Sequence, residues 1–353
     1  MIYCVGIDIS KYKHDFCIIS SAGELIVENS SFQNNKIGFQ SLLDQLKPYN
    51  KSEIHIAFEA TGHYSLNLEL FLVNNGYSFM KVNPLIIHQF LKTRSLRRTK
   101  TDKADSLTIA KYLMSVPYKP NSDLLYTFFT LKSLCRAREN LVKERSKFAV
   151  LLTNELDKSF PELKPFFNNM ISSTLLYILE KYTNTKHIAA MKDYDSIRKL
   201  SRGKFTYAKF AQLKELAKNS VGFSNENTDL LISTYISIYN DFNNKIDPIN
   251  KQISTIIKEL NPRMLTIPGI GEISAATILS EYGDIKNFSN SNKMLAFAGL
   301  DPSINQSGTL EYNGKMVKHG SGLLRYTIMN SAMAILRFSP EFYDYYLKKR
   351  SEG

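Results

Sequence analysis

Residues Ile2 to Ile9, Ile-Tyr-Cys-Val-Gly-Ile-Asp-Ile, form an apolar, β-branched run broken by one acid near its C-terminal end. Without polar alternation, such a run fits a strand covered on both faces. The chain must therefore build layers around it. It must also accommodate Asp8, because a carboxylate at the end of a buried strand is costly unless it is paired, hydrogen-bonded or bound to a metal. A second such run, Glu53 to Glu59, also ends on an acid, just before Thr61-Gly62. Ligands of α/β sheets sit at the C-terminal ends of strands. Taken singly, Asp8 reads equally as a turn-capping aspartate and Glu59 as a solvated loop acid.

Around these two runs the pattern is α/β. His14 to Ser20 and Glu24 to Phe32 read as strands joined by a Ser-Ala-Gly turn, so the first three strands form a meander. Asn35 to Leu46 has helical spacing and stops before Pro48; a helix over Ser65 to Asn74 and a strand over Ser78 to Val82 follow. Pro84 to Phe90 reads as helical and leads into a strongly basic stretch carrying Lys92, Arg94, Arg97, Arg98, Lys100 and Lys103. Inside that stretch lie Asp102 and Asp105. The spacing of Leu107, Ala110, Leu113 and Met114 predicts a helix from about Thr101, which sets the two acids on one face roughly 5–6 Å apart, within reach of one metal site. The same pattern describes a solvated helix start, with Thr101 as N-cap and acids in the first turn. The basic stretch is either a solvated linker or a phosphate guide.

The 353 residues suffice for two or three domains, and a 43% hydrophobic content is enough for sizeable cores. Lys plus Arg number 45 against 33 acids, a net charge of +12, which points to a polyanionic partner. Nucleic acid is the first candidate and an anionic membrane surface the weaker one. No run of 18 apolar residues suggests a membrane span, and the N-terminus enters a strand pattern directly; the expected location is the cytoplasm. Cys4, Cys17 and Cys135 are odd in number, widely spaced and in apolar contexts, so they read as buried thiols.

Beyond Pro117 and Pro120 the chain turns helical. Leu131 to Leu156 reads as one long helix that ends before Pro161, and residues 168–223 have helical spacing without an assignable motif. Tyr235, Tyr239, Phe242, Ile246, Ile249, Ile253, Ile256 and Leu260 form a heptad seam, with Pro248 expected to kink or break it. The seam fits either an intramolecular pairing with the Leu131 helix or a dimerising coiled coil. Next, Ile-Pro-Gly269-Ile-Gly271 opens an apolar helix; it resembles the turn of a helix-hairpin-helix, whose amides can hold a phosphate, though a plain turn looks the same. Phe288 to Ala298 reads as a helix, Gly299 to Gly308 as a loop, Tyr312 to Lys318 as a strand or hairpin turning at Asn313-Gly314, and Gly320 to Leu336 as a final helix.

Asp8, Glu59, Asp102 and Asp105 together supply the hard oxygen ligands that Mg²⁺ or Mn²⁺ prefers, and a divalent cation would offset their mutual repulsion. Two such ions could serve phosphodiester cleavage or transfer. Val-Gly-Ile-Asp8-Ile-Ser, Phe-Glu59-Ala-Thr-Gly and Lys-Thr-Asp102-Lys-Ala-Asp105 resemble the four-acid motif of the DEDD insertion-sequence transposases of the IS110 family, which includes Piv-type DNA invertases. Ile-Pro-Gly-Ile-Gly, Ala-Gly-Leu-Asp-Pro, Gln-Ser307-Gly308 and Lys318-His-Gly-Ser-Gly-Leu-Leu-Arg325 resemble that family's second signature region.

The resemblance implies three parts: a RuvC-like (RNase H-like) α/β metal-binding domain with a mixed sheet over residues 1–116, a helical coiled-coil domain over 117–260, and a small, mainly helical transposase domain over 261–353. It also implies that Ser307 attacks DNA to form a covalent intermediate while the acids bind the metal. Ser307 alone reads as an ordinary turn residue. Its activation falls to metal from the acidic domain, delivered by another protomer, rather than to His319. The partners implied are DNA, a structured guide RNA and further copies of the chain in a dimer or tetramer, in a bacterial, nucleoid-associated setting. Arg94, Arg97, Arg98, Lys100, Lys103, Gly269, Gly271, Lys315, Lys318 and Arg325 are the candidate nucleic-acid contacts. Two other readings remain: a RuvC-like, structure-selective nuclease in which water attacks, and a non-catalytic nucleic-acid-binding protein.

Overall fold

The structure is a computed structural model that describes residues 1–59, 64–94, 102–120, 125–307 and 310–352. For 29, 85, 92–94, 102–104, 125–126, 286, 302–307 and 310–315 the description covers the backbone alone. The chain divides into two compact units, Met1–Tyr126 and Thr127–Gly353.

In the first unit, β1 (Tyr3–Asp8), β2 (Lys13–Ser20) and β3 (Leu25–Gln33) form the antiparallel meander read from the sequence. Helix α1 (Lys36–Leu46) starts at Asn35, whose side chain accepts from the Gly38 amide. β4 (Ile54–Glu59), α2 (Leu66–Asn74) and β5 (Phe79–Val82) complete a mixed five-stranded sheet in the order β3-β2-β1-β4-β5, with β1, β4 and β5 parallel. Helices α3 (Pro84–Arg94) and α4 (Asp102–Ser115) follow.

Strand alternation sorts the sheet's side chains onto two faces. Val5, Ile7 and Ile9 join Ile54, Ile56 and Phe58 in a core shared with Leu42, Leu46, Leu68 and Leu72 of α1 and α2. Cys4 and Ala57 join Ile109 and Leu113 of α4 on the other face. Gly6 explains why α4 seats there: a Cβ at this position would lie 2.2 Å from the Ser106 carbonyl oxygen and 2.5 Å from the Ala110 amide nitrogen. The strand must be bare for the helix to pass over it.

In the second unit, α5 (Leu125–Ser159) begins six residues earlier than its apolar spacing indicates, and ends before Pro161. Helices α6 (Leu163–Phe166), α7 (Ser173–Lys181), α8 (Thr185–Ala190), α9 (Tyr194–Leu200) and α10 (Tyr207–Lys218) fill the segment without motifs. Helix α11 (Glu226–Leu260) runs through Pro248 as one helix, contrary to a break there. Pro248 lies on the exposed side and so does Asn244, so the Asn244 carbonyl that loses its i+4 donor faces water.

The heptad seam is satisfied within the chain. Arg138 Nε donates to Asn250 Oδ1 at 2.6 Å, Arg145 Nη1 to Asn243 Oδ1 at 2.7 Å, and Phe148 packs on Tyr235 and Phe242, so α5 and α11 run antiparallel. At one end Leu152 and Leu156 meet Ile232 and Ile236 in a core with α7 to α10; at the other, Leu131 and Cys135 meet Ile253 and Ile257.

The chain closes with α12 (Glu272–Tyr282), α13 (Ser291–Ala298), β6 (Pro302–Ser307), β7 (Leu310–Met316), α14 (Gly322–Phe338) and α15 (Pro340–Ser351). The expected loop before Gly308 is therefore mostly a strand, paired antiparallel from Pro302↔Met316 to Ser307↔Leu310. Asn313 and Gly314 sit inside β7 rather than at its turn, opposite a register shift between Pro302 and Ile304. Among the described residues, no helix is long and apolar enough to cross a membrane. The three cysteines are free and buried.

Candidate functional site

The acids of the first unit are placed by strand register. β1 and β4 are parallel neighbours paired up to Ile7↔Phe58, so Asp8 and Glu59, the next residues, end adjacent strands at the same edge. Cys4, Gly6 and Asp8 alternate onto the α4 face, as do His55, Ala57 and Glu59. The direction of α4 is fixed beyond its end, where Tyr118 stacks on His55 at 4.0 Å between centroids and its hydroxyl lies 3.0 Å from Ser78 Oγ. The end of α4 thus returns to the start of β4, and its first turn, with Asp102 and Asp105, lies toward the edge that carries Asp8 and Glu59.

Asp8, Glu59 and Asp105 are each half-buried. A fifth acid, which the sequence does not single out, joins this face: Asp15 of β2 pairs directly with Asp8, and Lys13 Nζ sits 3.0 Å from its carboxylate. Like charges directly opposite one another on a sheet repel, so a cation beside them is stabilising. The only signal for Asp15 was the alternation Lys-His-Asp-Phe, which does not reveal register.

The donor set is all carboxylate oxygen and fits Mg²⁺ or Mn²⁺ by chemistry. Among the described residues, no three His, Cys, Asp or Glu side chains are grouped closely enough to hold a metal ion. The register brings the acids to one edge without a ready-made cage among those side chains. Asp102 is described by its backbone as the first residue of α4.

The basic stretch divides. Arg94 ends α3 and Lys103 lies in the first turn of α4, both described by backbone alone, and Arg97, Arg98 and Lys100 lie outside the described residues.

In the second unit, Ser307 is the last residue of β6 and Lys315 lies in β7, again described by backbone; Gly308 and Thr309 lie outside the described residues. Gly269 has φ +92° and packs so closely on α14 that a Cβ would meet the Ala334 carbonyl carbon and the Ile335 amide at 3.0 Å, whereas Gly271 faces open space as the N-cap of α12. The turn is thus built by contact with α14, and its helix start is accessible. Lys318 is exposed, with a left-handed φ of +57°. Arg325 Nη1 donates to the Ala298 carbonyl at 3.1 Å, across the left-handed Gly299 cap of α13.

An ion pair to a buried carboxylate is invisible in the sequence. Glu281 of α12 is 3% exposed and accepts from Arg136 Nε at 2.7 Å and Arg136 Nη2 at 3.0 Å, with Lys132 Nζ 3.5 Å away. Burial alone would raise its pKa, but the Arg136 hydrogen bond, the Lys132 and Arg136 charges and Ser321 together hold it below the usual carboxylate range. It ties α12 to α5.

Residues 5–161 match the family model of the IS110-type DEDD transposases, described as a transposase, and residues 261–347 match the model of the IS116/IS110/IS902 transposase family. The chain belongs to the IS110 family of DEDD transposases. The four-acid segments and the Ser307 segment fall inside the first and second matches respectively. The DEDD designation implies an acidic, divalent-metal-dependent site.

Among its relatives, the pilin gene-inverting protein of Moraxella bovis is 27% identical over 316 residues, covering 86% of this chain and 73% of that protein. A 44.8 kDa protein of insertion element IS116 from Streptomyces clavuligerus is 22% identical over 365 residues, 99% of this chain and 88% of its own. The transposase of insertion sequence element IS1111A from Coxiella burnetii is 30% identical over 124 residues, 35% of this chain and 34% of its own.

Proposed function

We propose that this IS110-family chain is a site-specific DNA recombinase that excises and inserts its own element through a serine–DNA intermediate, directed by a structured RNA. The observation that carries the reading is the arrival of Asp8 and Glu59 at one sheet edge, on the face where α4 brings Asp102 and Asp105. The relatives named for DNA inversion and transposition support it, and so does the net charge of +12.

In this reading residues 1–116 form a RuvC-like domain, 117–260 a coiled-coil domain and 261–353 the transposase domain. Asp8, Glu59, Asp102 and Asp105 would hold Mg²⁺ or Mn²⁺, which when bound stabilises charge developing on phosphate oxygens. Ser307 Oγ attacks a phosphodiester, displacing a deoxyribose oxygen and joining the chain to DNA. Arg94, Arg97, Arg98, Lys100 and Lys103 position phosphates beside the acids; Lys315, Lys318 and the open helix start at Gly271 do so in the second unit. Copies of the chain assemble so that the acids of one complete the serine site of another.

The test is incubation of the purified chain, with its copurifying nucleic acid, on DNA spanning the ends of its own element in Mg²⁺. The wild type is expected to give a protease-sensitive DNA adduct and joined products, Ser307→Ala neither, and Asp102→Asn neither. Hydrolysed ends that persist with Ser307→Ala would instead establish water as the nucleophile and overturn the serine assignment.

A further inference from the structure

A cleft of about 240 Å³ lies in the second unit between α5, α12 and α14, and no step of the proposed recombination uses it. It is smaller than the roughly 300–1,000 Å³ of pockets that enclose whole small molecules, so its size suits a fragment of a larger ligand.

Its bed is apolar, from Cys135, Ile273 and Leu323, and Tyr326 stands at its lining 60% exposed. Its polar groups are of both kinds. Arg138 uses Nε on Asn250 at 2.6 Å, which leaves its terminal Nη groups for an acceptor, while the half-buried Glu139, whose Oε1 lies 3.4 Å from Lys143 Nζ, offers its second carboxylate oxygen. Asn330, on the same face of α14 as Tyr326, adds an exposed amide. One turn beyond the cleft residue Thr327, Ser331 is only 6% exposed and its Oγ has no hydrogen-bond partner, an unusual state for a buried hydroxyl.

A bare phosphate would meet the Glu139 carboxylate, and an aliphatic ligand would strand Arg138 and Asn330 without partners. A flat heterocycle with donors on one edge and acceptors on another satisfies both groups and the apolar bed.

We propose that this cleft seats one unpaired nucleobase, guanine by preference, of a nucleic acid bound to the chain. Guanine presents O6 and N7 to an arginine and its N1–H and N2–H groups to a carboxylate, and any base stacks on a tyrosine. The inference rests on the reading of the chain as nucleic-acid-processing and adds to it a point of base recognition outside the acidic site.

The experiment uses the full-length chain carrying Asp102→Asn, stripped of copurifying nucleic acid, and fluorescein-labelled twelve-nucleotide oligo-dT with a central dG, dA, dC or abasic residue, read by anisotropy. The dG probe is expected to bind about tenfold tighter than the abasic one, and Tyr326→Ala or Asn330→Ala to erase that difference while leaving binding of the abasic probe intact. Both side chains are exposed, so neither substitution threatens the fold. Glu139→Gln is expected to remove the preference for dG over dA. Equal binding of all four probes, or a dG preference that survives Tyr326→Ala and Asn330→Ala, overturns the proposal and leaves the recombinase reading standing. Failure of the chain to bind any probe overturns both.

Discussion

Gly6→Ala is the sharpest perturbation of the candidate site, because it adds one methyl group beneath α4 without touching an acid. The new Cβ would sit 2.2 Å from the Ser106 carbonyl oxygen, whereas ordinary contact begins near 3.4 Å, so helix and strand must separate by about 1.2 Å. The clashing neighbours, Ser106 O, Ala110 N and, at 2.9 Å, Ala110 Cβ, all belong to one helix, and none is a flexible side-chain end that can rotate away. Overpacking of a tight core costs about 1–3 kcal/mol, and this geometry places the change at the upper end, about 3 kcal/mol, by urea denaturation. The helix that moves carries Asp102 and Asp105, and a displacement of about 1 Å in reacting groups costs on the order of 10²-fold in rate. DNA cleavage in Mg²⁺ is therefore expected to fall by about that factor at temperatures where the variant remains folded. Gly271→Ala is the control: a Cβ there meets nothing within 4 Å, and the loss of stability is expected to stay below about 1 kcal/mol. If Gly6→Ala unfolds within about 0.5 kcal/mol of the wild type and cleaves DNA at an unchanged rate, α4 does not seat on β1 as described.

Arg136→Ala removes the bidentate partner of buried Glu281. Breaking a buried pair costs about 3–5 kcal/mol, but Arg136 is 55% exposed and Lys132 remains 3.5 Å from the carboxylate, which reduces the expected loss to about 1–2 kcal/mol. Because the folded-state pKa of Glu281 lies below its unfolded value, its contribution is present above that unfolded value, near 4.3, and fades as pH falls through the lower, folded one. The urea midpoints of wild type and Arg136→Ala should accordingly draw together below about pH 4. Burial pushes the Cys4 and Cys17 thiols up to about 11 and raises that of Cys135, so the native chain is expected to resist a thiol-specific disulfide reagent at pH 8 and to expose all three thiols on unfolding. Rapid labelling of the folded chain would contradict their burial.

The sheet and its helices were legible because each element carries its own period. Ile2 to Ile9 and Glu53 to Glu59 are apolar throughout, Asn35 caps α1 and Pro48 limits it, and the Tyr235–Leu260 seam repeats in heptads. Which acids share an edge was only half legible. Asp8 and Glu59 declared themselves by ending apolar strands, but Asp15 became a neighbour of Asp8 through antiparallel register, which one strand's sequence does not encode. The sequence gives no reason for a glycine at position 6; its reason is the backbone of α4, a hundred residues away in sequence. The segment Gly299 to Gly308 has the look of a loop in sequence; Pro302, Asn305 and Gln306 are poor strand formers, and only pairing with β7 makes them a strand. Arg325 was read as a nucleic-acid contact from its place in a basic signature, and its hydrogen bond to the Ala298 carbonyl depends on tertiary contacts that spacing does not carry.

The central claim is that acids from β1, β4 and α4 serve one cation site. Mn²⁺ titration of the full-length chain, followed by the loss of the free-ion EPR signal, tests it directly with Asp8→Asn, Glu59→Gln and Asp105→Asn. The expected result is that each substitution weakens the same binding event by tenfold or more. Wild-type-like Mn²⁺ binding in any two of the three would show that these acids do not share a site.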